Sequence, residues 1–95
     1  MNKEKLIAAI SEKAGISKTD AKIATEALLS TITETVQSRE KVVLMGFGTF
    51  EARAHAGRMA KNPRTGKPVK ISARTVPFFR PGKAFAEAVN GKKLN

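Results

Sequence analysis

The chain has 95 residues, a formal net charge of +10 and no cysteine. That length allows one small domain. The absence of thiols excludes a disulfide framework, a thiolate nucleophile and a zinc finger. The charge is segregated: residues 1–40 hold six basic and six acidic side chains, and residues 41–95 hold twelve basic and two acidic. A balanced body with a cationic limb is a sharper sign of a polyanion partner than high basicity alone.

In chain order, Leu6, Ile7, Ile10 and Ala14 recur at helical spacing, with lysine and glutamate between them. Asn2 is placed to cap this helix and Gly15 to end it. Ser17-Lys18-Thr19-Asp20 has the form of a capping box, a hydroxyl followed three residues later by a carboxylate. Ala21, Ala24, Leu28, Ile32 and Val36 then form one apolar stripe of about four and a half turns. The spacing predicts helix, short turn, helix over residues 3–37.

At Val42 the pattern becomes β-branched and aliphatic, and Gly46-Phe47-Gly48 marks a tight turn between two strands. Ala52, Ala54 and Ala56 then alternate with Arg53 and His55. After Asn62-Pro63-Arg64-Thr65-Gly66, Val69, Ile71 and Ala73 alternate with Lys70, Ser72 and Arg74. These patterns predict two strands of about ten residues, each about 33 Å long. Their apolar faces are mostly alanine, too small to anchor a ribbon on a core, so the hairpin is expected to project as an arm. Pro77, Phe78, Phe79 and Pro81-Gly82 mark the return to the body. Ala84, Phe85, Ala88 and Val89 make a short last helix stopped at Gly91, and residues 92–95 read as a loose tail.

Nine lysines and arginines, and no acid, lie between Glu51 and Glu87. They are Arg53, Arg58, Lys61, Arg64, Lys67, Lys70, Arg74, Arg80 and Lys83, spread along the arm and its return to the body. The arm carries no aromatic residue, which disfavours a stacking platform for single-stranded RNA. The cations lie on a β-hairpin rather than an amphipathic helix, which disfavours a lipid surface. Val42–Met45, the longest aliphatic run, is too short to span a bilayer. The N-terminus lacks the apolar region of a signal peptide, so an intracellular soluble protein is expected.

No catalytic constellation is present, and no enzyme activity, cofactor, metal or small-molecule substrate is expected. His55 is the only histidine and has no carboxylate in its segment. Gly46-Phe47-Gly48 lacks the third glycine of a dinucleotide fingerprint, and Thr65-Gly66-Lys67 lacks the first glycine of a phosphate loop. With the arm set aside, roughly 65 residues remain to build a core. The helix stripes and phenylalanines are generous for so small a body, so association with a second copy is expected.

Met1-Asn2-Lys3, Gly46-Phe47-Gly48-Thr49-Phe50-Glu51 and Lys61-Asn62-Pro63-Arg64-Thr65-Gly66-Lys67 resemble the bacterial HU histone-like DNA-binding family, over essentially the whole chain. The resemblance implies an α+β fold: two N-terminal helices, a three-stranded antiparallel sheet with a long protruding β-hairpin arm, and a short C-terminal helix, in an intertwined homodimer. The body is then residues 1–52 and 75–91, and the arm about 53–74. Leu28, Ile32, Leu44, Phe47, Phe50 and Phe79 are the expected dimer core. The implied partner is double-stranded DNA, held through the minor groove and phosphate backbone by a homodimer or a heterodimer with a homologue, in the cytoplasmic nucleoid.

The same resemblance implies DNA contacts on the arm by Arg53, His55, Arg58, Lys61, Asn62, Arg64, Lys67, Lys70 and Arg74. Lys3, Lys18, Arg80 and Lys83 are the implied contacts on the body. Pro63 is the implied wedge between base pairs, HU and integration host factor being known minor-groove benders. The implied function is non-sequence-specific bending, wrapping and compaction of DNA, with a preference for nicked, gapped or bent duplex. Phe79-Arg80-Pro81-Gly82 is also similar to integration host factor, whose sequence-preferring bending is the alternative. Arg39 stands where the family usually has glycine; if that position keeps a positive φ, the arginine there costs about 1 kcal/mol. His55 stands where arginine is frequent, and Met59-Ala60 where a lysine- or glycine-containing pair is common.

Overall fold

A computed structural model describes residues 1–91; the expected tail, 92–95, lies outside the described residues. The chain divides into two compact units, Met1–Glu34 and the part from Thr35 onward.

The first unit is helical. Helix α1 spans Lys3–Ala14, and α2 spans Lys18–Gln37, running across the boundary between the units. Both caps form as the sequence predicts. Asn2 Oδ1 accepts the Lys5 N–H at 2.9 Å, and Ser17 Oγ accepts the Asp20 N–H at 3.0 Å. Gly15 takes the left-handed conformation at φ 70°, and the following Ile16 N–H returns to the Ser11 carbonyl at 3.1 Å. Ala21 and Thr25, one turn apart on α2, are buried.

The second unit is built on a three-stranded antiparallel sheet with strand order β1-β2-β5, formed by β1 (Val42–Leu44), β2 (Gly48–His55) and β5 (Arg74–Pro81). Two further strands, β3 (Arg58–Lys61) and β4 (Pro68–Ile71), form a separate antiparallel pair, and α3 spans Lys83–Asn90. The Phe47 N–H bonds the Leu44 carbonyl at 2.9 Å, closing a turn in which Gly46 has φ 82°. A positive φ at this third position is the type II requirement that glycine meets without strain.

Ladder register separates the two faces of the β2–β5 ribbon. Phe50 lies opposite Phe79, and Glu51 opposite Phe78. The Phe50–Phe79 face carries the aromatic cluster, with ring centroids 4.7 Å apart for Phe50–Phe79, 5.4 Å for Phe47–Phe79 and 4.6 Å for Phe47–Phe85. Phe85 brings α3 into this cluster, and the Gly82 N–H ties its start to the Phe47 carbonyl at 2.8 Å. Gly48 is required for close approach: a Cβ there would lie 2.5 Å from the Phe79 ring and 2.7 Å from the Arg80 carbonyl oxygen.

The arm departs from the sequence expectation in one respect. Its strands are not continuous for ten residues. The β2–β5 ladder ends at His55–Arg74, and the β3–β4 ladder begins at Arg58–Ile71. Ala56-Gly57 and Ser72-Ala73 belong to neither ladder. Gly57 lets the backbones close up there, since a Cβ would sit 3.1 Å from the Ile71 carbonyl oxygen.

Candidate nucleic-acid interface

Beyond the ladder break, the ribbon presents its cations in pairs of rows. Arg58, Ala60, Val69 and Ile71 share one face by register, and Met59, Lys61, Pro68 and Lys70 the other. At the tip, Asn62 Oδ1 accepts the Arg64 N–H at 2.8 Å and the Thr65 N–H at 3.4 Å. The Gly66 N–H bonds the Asn62 carbonyl at 2.7 Å, and Asn62 N–H bonds the Lys67 carbonyl at 2.8 Å. Gly66 supplies the left-handed corner at φ 75°. These bonds hold the loop from within, so the exposed Pro63 ring is carried on a fixed turn. Arg64 and Lys67 flank it, both exposed.

At the arm root, the face of β2–β5 opposite the phenylalanine cluster is polar. Thr49, Glu51, Arg53 and His55 alternate along β2, and Arg74, Val76, Phe78 and Arg80 lie across from them on β5. Glu51 is the centre of this face, with its side chain 9% exposed. Arg53 Nε donates to Glu51 Oε2 at 3.0 Å. Arg80 Nη2 lies 3.4 Å and Lys41 Nζ 3.8 Å from Glu51 Oε1. The hydrogen bond from Arg53 holds the Glu51 carboxyl below its ordinary range; burial opposes the shift, and the charges of Arg80, Lys41 and Arg53 reinforce it. The Arg53 guanidinium carbon also sits 3.5 Å from the centroid of the Phe78 ring, a cation–π contact that orients its plane.

The implied DNA contacts are thus not equivalent. Arg53 and Arg80 are engaged by Glu51, whereas His55 and Arg74 face each other across the ladder with neither in an ion pair among the described residues. Lys83 begins α3 and is exposed. In the first unit, Lys3 pairs with Glu26 at 3.3 Å. Lys3 and Lys18 line one shallow hollow between α1 and α2, together with Lys5 and Lys22.

Sequence reasoning missed Glu51, Lys41 and Phe78 as parts of this face. The signal was the alternation of Arg53 and His55 with alanines. Extended back by two residues, it puts Glu51 beside them and Phe50 on the opposite side. Among the described residues, no group of three or more histidine, aspartate or glutamate side chains is placed to hold a metal. No described helix is long and apolar enough to cross a membrane.

Comparison with known proteins gives a consistent result. The family model for "Bacterial DNA-binding protein" matches residues 1–90. DNA-binding protein HU of Geobacillus stearothermophilus is 48% identical over 89 residues, covering 94% of this chain and 99% of the relative. DNA-binding protein HU-alpha of Escherichia coli is 51% identical over 89 residues, with the same coverage of 94% and 99%. Among solved structures, the Anabaena HU–DNA cocrystal structure superposes with a TM-score of 0.88 at 43% identity, covering 97% of this chain and 100% of that one. HU from Thermotoga maritima matches with a TM-score of 0.66 at 36% identity, covering 94% of this chain and 98% of that one. The match runs through the helices, the sheet, the arm and the last helix, and the chain belongs to the HU family of bacterial DNA-binding proteins.

Proposed function

We propose that this protein is a non-sequence-specific architectural DNA-binding protein of the bacterial nucleoid that bends and compacts duplex DNA. The observation that carries the reading is the exposed Pro63 at the tip of a cationic two-stranded ribbon, on a turn fixed by Asn62. A rigid apolar ring among cations is suited to enter the minor groove and unstack a base step. Asn62 Oδ1 is engaged by the turn, so the tip offers little that reads bases in a groove whose code is already degenerate.

The acting form is a dimer, a homodimer or a pair with a homologue. Support comes from unburied apolar surface: among the described residues no large side chain is fully buried, with Leu28 51% and Phe47 41% exposed. Ile32, Leu44, Phe50 and Phe79 are only half-buried. These six are the proposed shared core. Two arms then bring Arg58, Lys61, Arg64, Lys67, Lys70 and Arg74 to the phosphates twice over. Neutralising about six to ten phosphates lowers affinity by about 10³–10⁵ between about 50 and 200 mM salt. Lys3, Lys18, Arg80 and Lys83 contact flanking phosphates.

Kinking by intercalation must offset a few kcal/mol of unstacking per step. Nicked, gapped or bent DNA needs less of that work and binds more tightly. Pro63→Ala is expected to shrink the preference for nicked over intact duplex several-fold in a competition gel shift, with little change in salt dependence. An unchanged preference in the variant removes the wedge from the account.

A further inference from the structure

His55 is the single histidine of the chain and stands at the end of the β2–β5 ladder, directly opposite Arg74 and two residues from Arg53 on the same face. It is exposed, and its imidazole makes no hydrogen bond or ion pair among the described residues. The groups that face it are all known from the register. Arg53 and the Glu51 beyond it lie on β2, and Arg74 and Val76 lie on β5. Glu51 is the nearest acid along this face, and it is already held by Arg53, Arg80 and Lys41. The imidazole therefore sits in a row of cations without a carboxylate of its own.

We propose that Arg53, His55 and Arg74 form a phosphodiester-binding subsite at the arm root whose middle cation is switched on by protonation, so that the grip on DNA tightens as pH falls. The inference rests on the DNA-binding reading above and adds a regulation to it. A phosphate seated against Arg53, His55 and Arg74 favours the charged imidazolium, because an anion stabilises a neighbouring cation. Binding and protonation are linked: if DNA favours the protonated form, protons favour the DNA complex, in the range between about pH 5 and 8 where histidine changes charge. Arginine at this position would carry its charge at every pH. The histidine makes the subsite conditional.

The test measures affinity for one nicked duplex at pH 6 and pH 8, at constant ionic strength, for the wild type, His55→Gln and His55→Arg. Two exposed charge contacts per dimer predict about three- to tenfold tighter wild-type binding at pH 6. The slope of log K against log salt should steepen at pH 6 by about 0.9 for each histidine that neutralises a phosphate. His55→Gln is expected to lose most of this response and bind as the wild type does at pH 8. His55→Arg should bind at both pH values as the wild type does at pH 6. A wild type with pH-independent affinity overturns the proposal, as does an undiminished response in His55→Gln. In both cases the DNA-binding reading survives; absence of binding at either pH would defeat that reading itself.

Discussion

Arg39 is the one non-glycine among the described residues with a positive φ, at 71°. It terminates α2 in a Schellman arrangement. Its N–H bonds the Val36 carbonyl at 2.9 Å, and the Glu40 N–H reaches the Thr35 carbonyl at 3.1 Å. A side chain in this conformation costs about 1–2 kcal/mol. The guanidinium offsets part of that by donating to the Gln37 carbonyl at 2.8 Å. Glycine removes the strain but has more freedom to lose on folding. Arg39→Gly is therefore expected to raise stability by about 0.5–1 kcal/mol, seen as a rise of a few degrees in Tm. A lower Tm would mean that the Arg39 side-chain contacts outweigh the backbone strain.

At the scale of elements, the polar face of β2–β5 depends on one carboxylate. Glu51 titrates below its ordinary value of 4.5 in the folded protein, chiefly through the Arg53 hydrogen bond. A depressed carboxyl pKa adds stability that is fully present above the unfolded value and is lost as pH falls through the folded one. Acid unfolding followed by circular dichroism should thus show a loss that begins near pH 4.5 and continues below it, shallower in Glu51→Gln. Identical acid limbs in the two proteins would show that the Arg53–Glu51–Arg80 cluster contributes nothing to stability.

The helices and their caps were legible in the sequence because Asn2, Gly15 and Ser17 act locally, within one turn of their own residues. The Asn62–Gly66 tip was legible for the same reason. The arm's interruption at Ala56-Gly57 and Ser72-Ala73 was not, since the sequence alternation runs through it and only the ladders of the folded chain leave these residues out. Phe78 and Phe79 are neighbours in sequence, and which one joins the aromatic cluster is decided by the Phe50–Phe79 pairing. Glu51 read as the last acid before the cationic stretch. Its role appears only when β1, β2 and β5 bring Lys41, Arg53 and Arg80 to it.

For the whole molecule, the exposure of Leu28, Val43 and Phe47 leaves a single chain short of core. In the proposed dimer a second copy covers this surface and completes the core. Urea unfolding should shift to higher midpoints as protein concentration rises, because folding and association are then one equilibrium. A midpoint independent of concentration, with sedimentation showing a folded monomer at micromolar concentration, would contradict the shared core. In the proposed dimer, two arms double the number of cations offered to the phosphates and so steepen the salt dependence. The most direct test of DNA bending as the function is a gel shift at two salt concentrations comparing intact, nicked and four-way DNA with a structured RNA. Binding is expected to be tightest to nicked and four-way DNA, weaker to intact duplex and weakest to the RNA, with a steep loss of affinity as salt rises. Equal affinity for nicked and intact duplex, or a preference for the RNA, would contradict it.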